Sequence, residues 1–375
     1  MDSLKDYILW MGDFPVSATG FRDADALVLC LLSYFDLSPV FGGGVQEARV
    51  CDCRRMIDEG NVQVEITGKD DGYVELLKAA AASRRFGDLI MTNYVDILCD
   101  DPPLQFSAVT FHNDKDLSFI AYRGTDNSLA GWREDCMISF TLSKAQEMAA
   151  EYADRHISPG RKWFMGGHSK GGNEVLYAAC MLSDEKLACV ERIYCLDGPG
   201  LCDEVMNISR MQRIDSKTTR IIPEFSVIGK LFEPKVTDTR IVHSSESGMM
   251  QHGLISWEID HGRLAAAEDN ASASKWINEV VDKWIGNISM EERVHFVDEL
   301  FTVLGTGGAR TLDELTDDGL EDIEKLAPQL KNLSETTRHI LSDLAKQAFA
   351  SSFLPFFRRK EKADHSAEHP NEEKK

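Results

Sequence analysis

The sequence predicts an α/β fold built on a largely parallel central sheet with helices on its flanks. Short apolar runs rich in β-branched and aromatic residues alternate with segments of helical spacing, which is typical of parallel sheets. Polar residues able to do chemistry follow several of these runs directly, and catalytic groups collect at the carboxyl ends of parallel strands. The predicted strands cover residues 106–111, 117–122, 162–165, 192–196, 219–222 and 240–243.

The first two predicted strands, 106–111 and 117–122, are separated by Asn113-Asp114-Lys115-Asp116, which indicates a hairpin. Apolar residues at helical spacing predict helices over 22–36 and 71–86, each with acidic residues at its start. Further helices are predicted over 143–156 and directly after Ser169; these are the segments that alternate with the later strands.

The strand patterns stop near residue 270, and this divides the chain into three parts. We expect an α/β domain over 1–268, a helical appendage over 269–357 and a charged, disordered tail over 358–375. In the appendage, Ser289 and Glu292 form a capping box and Gly305 is a candidate C-terminal cap, and a second helical stretch spans 321–349. The aromatic and basic segment 349–360 either docks on the core or makes peripheral contact with an anionic membrane.

The composition of the chain limits the classes of partner that the protein can bind. The chain has 375 residues, 43% of them hydrophobic, and a net charge of −21, which argues against a nucleic-acid binder because phosphate contacts need clustered Lys and Arg. It shows no secretory signal and no apolar run long enough for a transmembrane segment. Nine irregularly spaced cysteines indicate reduced thiols, so a cytoplasmic protein is expected, and no cofactor or metal site is predicted.

One stretch carries a catalytic motif. Gly167-His168-Ser169-Lys170-Gly171 has the form Gly-x-Ser-x-Gly, lies after a predicted strand and is followed by a predicted helix. This is the context of a nucleophile elbow, the sharp turn that exposes a serine hydroxyl at the edge of a sheet. Ser169 is therefore the predicted nucleophile. The backbone N–H groups of Lys170 and of Thr125, in the Gly124-Thr125 loop after an earlier strand, are the predicted oxyanion donors.

A serine nucleophile needs a base, and His252 is the strongest candidate because it follows the last predicted strand, where a loop can bring an imidazole over the serine. His168 adjoins Ser169 but should point away from it and is interpreted as structural. His243 is interpreted as a packed residue within the last strand, and His112 belongs to the hairpin.

Two carboxylates qualify as the acid that orients the base. Asp197 follows the strand after the elbow, and Glu224 follows the next strand. Asp197 is preferred because its shorter side chain, in the tight turn Asp197-Gly198-Pro199-Gly200, is held more rigidly. The order serine, acid, histidine holds for either.

Together these motifs resemble the class 3 lipases, a branch of the α/β hydrolases. The resemblance rests on Tyr122-Arg123-Gly124-Thr125 with Trp132 and Asp135, on Gly167 to Gly172, and on His252. It is closest to a bacterial lipase-like family of unknown function whose members carry Gly-His-Ser-Lys-Gly-Gly-Asn, Asp-Gly-Pro-Gly and Gln-His before Ser-Trp. It covers about residues 5 to 260 and implies an α/β-hydrolase fold.

The chain departs from the class 3 pattern at two positions. Lys170 stands where those lipases usually have Leu, and we interpret it as a solvated residue at a helix start. Ser226 stands where their acid is expected, and it cannot act as one, so Asp197 or Glu224 would have to substitute.

The function predicted from the sequence is a serine esterase or lipase that cleaves a small-molecule acyl ester or lipid through an acyl-enzyme on Ser169. The alternative is a hydrolase fold with impaired catalysis that acts as a binding or scaffold protein, suggested by the missing class 3 acid and by the helical appendage.

Overall fold

An eight-stranded sheet organises the fold. The computed structural model describes residues 2–64, 71–100, 103–113, 115, 117–125, 133, 137–138, 141–202, 205–226, 228–268, 289–305, 333–335 and 337–339. The strands follow one another across the sheet in chain order. They are β1 (Glu47–Arg49), β2 (Ile90–Asp100), β3 (Pro103–His112), β4 (Leu117–Tyr122), β5 (Lys162–His168), β6 (Val190–Leu196), β7 (Thr218–Pro223) and β8 (Asp238–Val242).

The sheet has an antiparallel half and a parallel half. Strands β1 to β4 pair antiparallel, and β4 to β8 pair parallel. The predicted α/β fold of the α/β-hydrolase type is thus confirmed, as is the hairpin formed by β3 and β4. A separate two-stranded ribbon, β9 (Ile259–Asp260) and β10 (Arg263–Leu264), follows the sheet.

Strand β2 was not predicted from the sequence. Its register against β3 shifts between Thr92 and Val95, and Asn93 has a positive φ of 56°. Such a bulge breaks the two-residue alternation of side chains from which a strand is recognised.

Helices cover both faces of the sheet. In the described parts of the chain they are α1 (Leu4–Met11), α2 (Val16–Thr19), α3 (Asp23–Leu32), α4 (Ser38–Phe41), α5 (Cys53–Asp58), α6 (Asp71–Ala82), α7 (Arg84–Gly87), α8 (Lys144–His156), α9 (Lys170–Met181), α10 (Asp184–Cys189), α11 (Ile208–Asp215) and α12 (Met290–Gly305). None of the described helices is long and apolar enough to cross a membrane.

Two hydrophobic cores lie on opposite faces of the sheet. One contains residues of α1, α3 and α6 together with Phe119 and Ala121 of β4, and the other contains residues of α8 and α9 together with Ile120 and Tyr122. Alternate side chains of β4 therefore enter different cores, and every residue of this strand is buried. Burial on both faces explains why β4 reads as a continuous apolar run.

Helix α12 packs against the α/β domain at a third, small apolar cluster. Phe296 and Val297 of α12 contact Cys202, which follows β6. The predicted capping box starts this helix, since Ser289 N donates to Glu292 Oε2 at 2.7 Å and Glu292 N donates to Ser289 Oγ at 3.3 Å.

Several predicted features lie outside the described residues. They are Trp132, Asp135, the segment 349–360, the tail 358–375 and, apart from 333–335 and 337–339, the second helix of the appendage at 321–349.

Candidate active site

A strained turn carries Ser169. Strand β5 ends at His168, Ser169 has φ 57° and ψ −125°, and α9 begins at Lys170. A positive φ is costly for a non-glycine residue and persists only where the surrounding structure enforces it. The surrounding backbone enforces it by packing closely against the two flanking glycines, Gly167 and Gly171. A Cβ at Gly167 would lie 2.0 Å from Gly171 O, and one at Gly171 would lie 2.3 Å from Tyr122 O.

The predicted oxyanion loop lies against this turn. A Cβ at Gly124 would lie 2.5 Å from His168 O and 3.0 Å from Ser169 Cβ, so only glycine fits there. Thr125, the next residue, is 8% exposed. Lys170 is the first residue of α9, so its backbone N–H lies at the N-terminal end of that helix. Gly124 of the predicted oxyanion loop and the predicted donor Lys170 therefore both adjoin Ser169.

Asp197 lies beside Ser169 because of the strand register. His168 pairs with Leu196 across β5 and β6, and Ser169 N donates to Leu196 O at 3.0 Å. The next residue, Asp197, has a positive φ of 44°. The chain then turns through Gly198, where a Cβ would lie 2.6 Å from Gly172 Cα of α9. Parallel neighbours thus bring Ser169 and Asp197 to the same edge of the sheet.

His252 contacts Asp197. It ends a 3₁₀ turn, Gly248–His252, and its Nδ1 lies 2.6 Å from Asp197 Oδ2. Asp197 is almost fully buried, whereas the His252 side chain is 22% exposed. An ionised carboxylate can only accept, so Nδ1 carries the proton and a neutral His252 ring keeps its lone pair at Nε2. That is the tautomer a general base needs.

Ser226 completes the surroundings of Asp197. Its hydroxyl donates to Asp197 Oδ1 at 2.5 Å, so each carboxylate oxygen has a partner. The position at which class 3 lipases carry their acid thus holds Ser226, and this serine binds Asp197, the carboxylate that follows the preceding strand. The sequence shows Ser226 as a departure from the pattern, but nothing in the sequence indicated this contact.

The other candidates lie away from His252. Glu224 Oε1 is 3.1 Å from His243 Nδ1. His243 comes one residue after β8 and is one-third exposed, so its predicted place within the strand is wrong. His112 ends β3 opposite Ser118, near the start of β4. It therefore lies at the opposite end of the strands from Ser169.

His168 contacts both the backbone and the ring of His252. Its Nε2 lies 2.8 Å from the His252 carbonyl oxygen and its Nδ1 lies 2.7 Å from Tyr34 Oη, while the two imidazole rings are 4.5 Å apart. A carbonyl only accepts, so His168 donates from Nε2 and accepts the Tyr34 hydroxyl proton at Nδ1. Burial, reinforced by the neighbouring His252, holds the pKa of His168 well below its ordinary value of 6.5. His168 is therefore neutral. Tyr34 was not predicted from the sequence.

A neutral buried His168 makes stability depend on pH. In the unfolded chain His168 takes up a proton below about pH 6.5, while in the folded chain it stays neutral, so stability is lost as pH falls through that value. Between pH 7.5 and 5.5 we expect the unfolding free energy of wild type to fall by about 1 kcal/mol more than that of His168→Gln. Urea unfolding at both pH values measures this. An equal fall in both proteins would mean that His168 is protonated in the folded state.

The interpretation of Lys170 as a solvated residue is wrong. Lys170 is 1% exposed, and its Nζ donates to Gln105 O at 2.6 Å and lies 3.3 Å from Gln105 Oε1. Sequence spacing favoured solvent because the first turn of a helix is usually exposed. The strand β3 extends past the end of β4 and covers this position instead.

Two hydrogen bonds between side chains and backbone at Gln251 hold the His252 segment in place. The buried Trp257 donates from Nε1 to Gln251 O at 2.8 Å, and Gln251 Oε1 accepts from Phe225 N at 2.8 Å.

Among the described residues, no cluster of three or more His, Cys, Asp or Glu side chains could hold a metal ion. The eight described cysteines carry free thiols.

Comparison with known proteins gives the family. The model of the Mbeg1-like family matches residues 80–302, more than half of the chain. The chain belongs to the Mbeg1-like family. This is a lipase-like family, which confirms the predicted kinship with lipase-like α/β hydrolases. The match includes Ser169, Asp197 and His252, and it extends beyond the predicted end near residue 260 into α12.

Among solved structures, the chain is similar to one titled "Crystal structure of M37 lipase". The two share 14% sequence identity with a TM-score of 0.36, over 56% of this chain and 70% of the other. A search of the curated proteins found no match.

Proposed function

We propose that this Mbeg1-like protein is a serine hydrolase that cleaves a carboxylic ester through an acyl-enzyme on Ser169. The observation that carries the proposal is the 2.6 Å hydrogen bond between His252 Nδ1 and the buried Asp197 carboxylate, next to the strained turn at Ser169. A serine nucleophile, a histidine in the correct tautomer and an oriented acid together form a nucleophile system.

In the proposed mechanism, His252 Nε2 takes the proton of the Ser169 hydroxyl while Oγ attacks the acyl carbon. Asp197 stabilises the resulting imidazolium. The backbone N–H groups of Lys170 and Thr125 donate to the oxyanion of the tetrahedral intermediate. The imidazolium then protonates the leaving alcohol. Water, deprotonated by the same base, attacks the acyl-enzyme and releases the acid.

We assign the acid role to Asp197 and not to Glu224. Asp197 contacts His252, whereas Glu224 pairs with His243. The alternative of a catalytically impaired binding or scaffold protein was motivated by Ser226 at the class 3 acid position and by the helical appendage. The carboxylate within hydrogen-bonding distance of His252 counts against the first of these motives.

The proposed substrate is a small-molecule acyl ester or a lipid, by the family's likeness to lipases. The free thiols of the described residues support a reducing compartment, the cytoplasm, as the place of action.

Labelling with a fluorophosphonate probe tests the proposal, because such probes phosphonylate only activated serines. We expect wild type to be labelled on the peptide that contains Ser169, and Ser169→Ala to lose the label. The matched control is Ser158→Ala, which removes an exposed hydroxyl and should label like wild type. Hydrolysis of p-nitrophenyl esters of graded chain length then defines the acyl preference. Equal, weak labelling of folded wild type and Ser169→Ala would reject the proposal.

A further inference from the structure

Lys170 is buried at a position where burial of a cation is unfavourable. It is the first residue of α9, where the helix dipole disfavours positive charge, and it is 1% exposed. Desolvation of an ammonium group is costly unless polar partners replace the lost water. Gln105, itself 3% exposed, supplies such partners through its backbone carbonyl at 2.6 Å and its side-chain oxygen at 3.3 Å. A buried cation with specific partners indicates a defined role.

The sheet topology shows what this contact spans. Strand β4 lies between β3 and β5, and Lys170 follows β5 by two residues, whereas Gln105 belongs to β3. The bond from Lys170 to Gln105 therefore crosses the carboxyl end of β4. This is the end from which the segment Arg123–Thr125 emerges.

The register places Gln105 beside that segment. Ala108 of β3 pairs with Tyr122, and Arg123 N donates to Ser107 O at 3.0 Å. Extended by two residues beyond Arg123, this antiparallel register would bring Gln105 level with Thr125. Lys170 thus joins the turn at Ser169 to the strand on the far side of the Gly124-Thr125 loop.

A second contact, an ion pair, connects the Gly124-Thr125 loop to the antiparallel pair of β2 and β3. Arg123 donates from both terminal nitrogens to the Asp96 carboxylate, at 2.9 and 2.8 Å. Asp96 belongs to β2 and lies opposite Ser107 of β3. The hairpin of β2 and β3 is therefore the common anchor for the loop, through Arg123, and for the residue after the nucleophile, through Lys170.

We propose that the Lys170 side chain is a positioning residue that holds the two oxyanion donors at their working separation by clamping the turn at Ser169 to β3. The inference rests on the proposed function, in which Lys170 and Thr125 supply those donors. Because the oxyanion exists only in the transition state and the tetrahedral intermediate, loss of the clamp acts on kcat and not on KM. Leucine, the usual class 3 residue at this position, cannot make this contact.

The test compares Lys170→Met, which keeps the backbone N–H and much of the side-chain volume, with Lys170→Arg, which keeps a cationic donor. On p-nitrophenyl butyrate, we expect Lys170→Met to lower kcat about 10- to 100-fold with KM unchanged within about two-fold. A trifluoromethyl ketone, whose carbonyl becomes an oxyanion when Ser169 adds to it, should bind more weakly by the factor lost in kcat/KM. Lys170→Arg should recover most of kcat.

The outcomes separate the clamp from the proposed function. Wild type that neither hydrolyses esters nor labels at Ser169 overturns both. Active wild type with an equal kcat in folded Lys170→Met, or with only KM raised, overturns the clamp alone. If Lys170→Met does not fold, Lys170→Leu replaces it. Failure of both variants to fold, with Lys170→Arg folded, would make Lys170 a folding requirement and contradict a positioning role.

Discussion

Asp197→Asn is expected to lower kcat of ester hydrolysis by about 10⁴-fold, the size of effect seen when a triad acid becomes an amide in serine proteases. The asparagine amide can donate to His252 Nδ1, which places the ring proton on Nε2 and leaves no lone pair to accept the Ser169 proton. Asp197 is fully buried and Ser226 holds its other oxygen, so the substitution changes the tautomer of His252 with little change in geometry. Steady-state kinetics of the purified variant measure the effect.

Glu224→Gln is the matched control for Asp197→Asn. It makes the same carboxylate-to-amide change at the carboxyl end of the next strand, beside His243. We expect its kcat to stay within about two-fold of wild type. The Glu224–His243 pair is partly exposed, and such a pair adds little to the stability of the fold. An equal loss in both variants, or a kcat above a tenth of wild type in Asp197→Asn, would show that Asp197 does not orient the base.

Asp25→Asn is expected to lower the unfolding free energy by about 3–5 kcal/mol, because it leaves the buried Arg85 without its counter-charge. Neither side chain is exposed. Asp25 accepts from Arg85 Nε at 2.6 Å, from the Tyr7 hydroxyl at 2.8 Å and from Arg22 N at 2.8 Å. Arg85 also donates to Phe14 O at 2.9 Å. The network joins α1, α3 and α7, so its disruption loosens the whole N-terminal part. Urea unfolding followed by circular dichroism measures the loss.

Asp23→Asn, in the first turn of the same helix, is the matched control. Asp23 pairs with Arg240, and both side chains are at least one-third exposed, so we expect a loss of less than about 1 kcal/mol. The double variant Asp25→Leu/Arg85→Met removes both buried charges and should be more stable than Asp25→Asn alone. An Asp25→Asn protein as stable as Asp23→Asn would show that the buried pair adds nothing to stability.

The parts of the site that the sequence predicted depend on neighbours in the chain. A strand, a Gly-x-Ser-x-Gly turn and an apolar helix within about twenty residues lead to one local geometry, because a Cβ at Gly167 would lie only 2.0 Å from Gly171 O inside the motif itself. The strained turn at Ser169 follows from this local chemistry. The capping box at Ser289 was predicted for the same reason.

The parts that sequence reasoning left open or mistook depend on residues far apart in the chain. Asp197 and Glu224 were both candidates, and the contact that distinguishes them joins residues 55 positions apart. The burial of Lys170 depends on Gln105, 65 positions earlier, and the contact of His168 with Tyr34 spans 134 positions.

By itself, then, the sequence determined the α/β fold, the turn at Ser169 and the set of residues from which its partners come. Only the tertiary structure decided that Asp197 meets His252, that Ser226 binds the acid, and that Lys170 is buried. The physical reason is that periodicity and turn chemistry act over one or two turns of backbone. The pairing of charges across a sheet is decided by strand order and register, because these determine which polar groups lose water together.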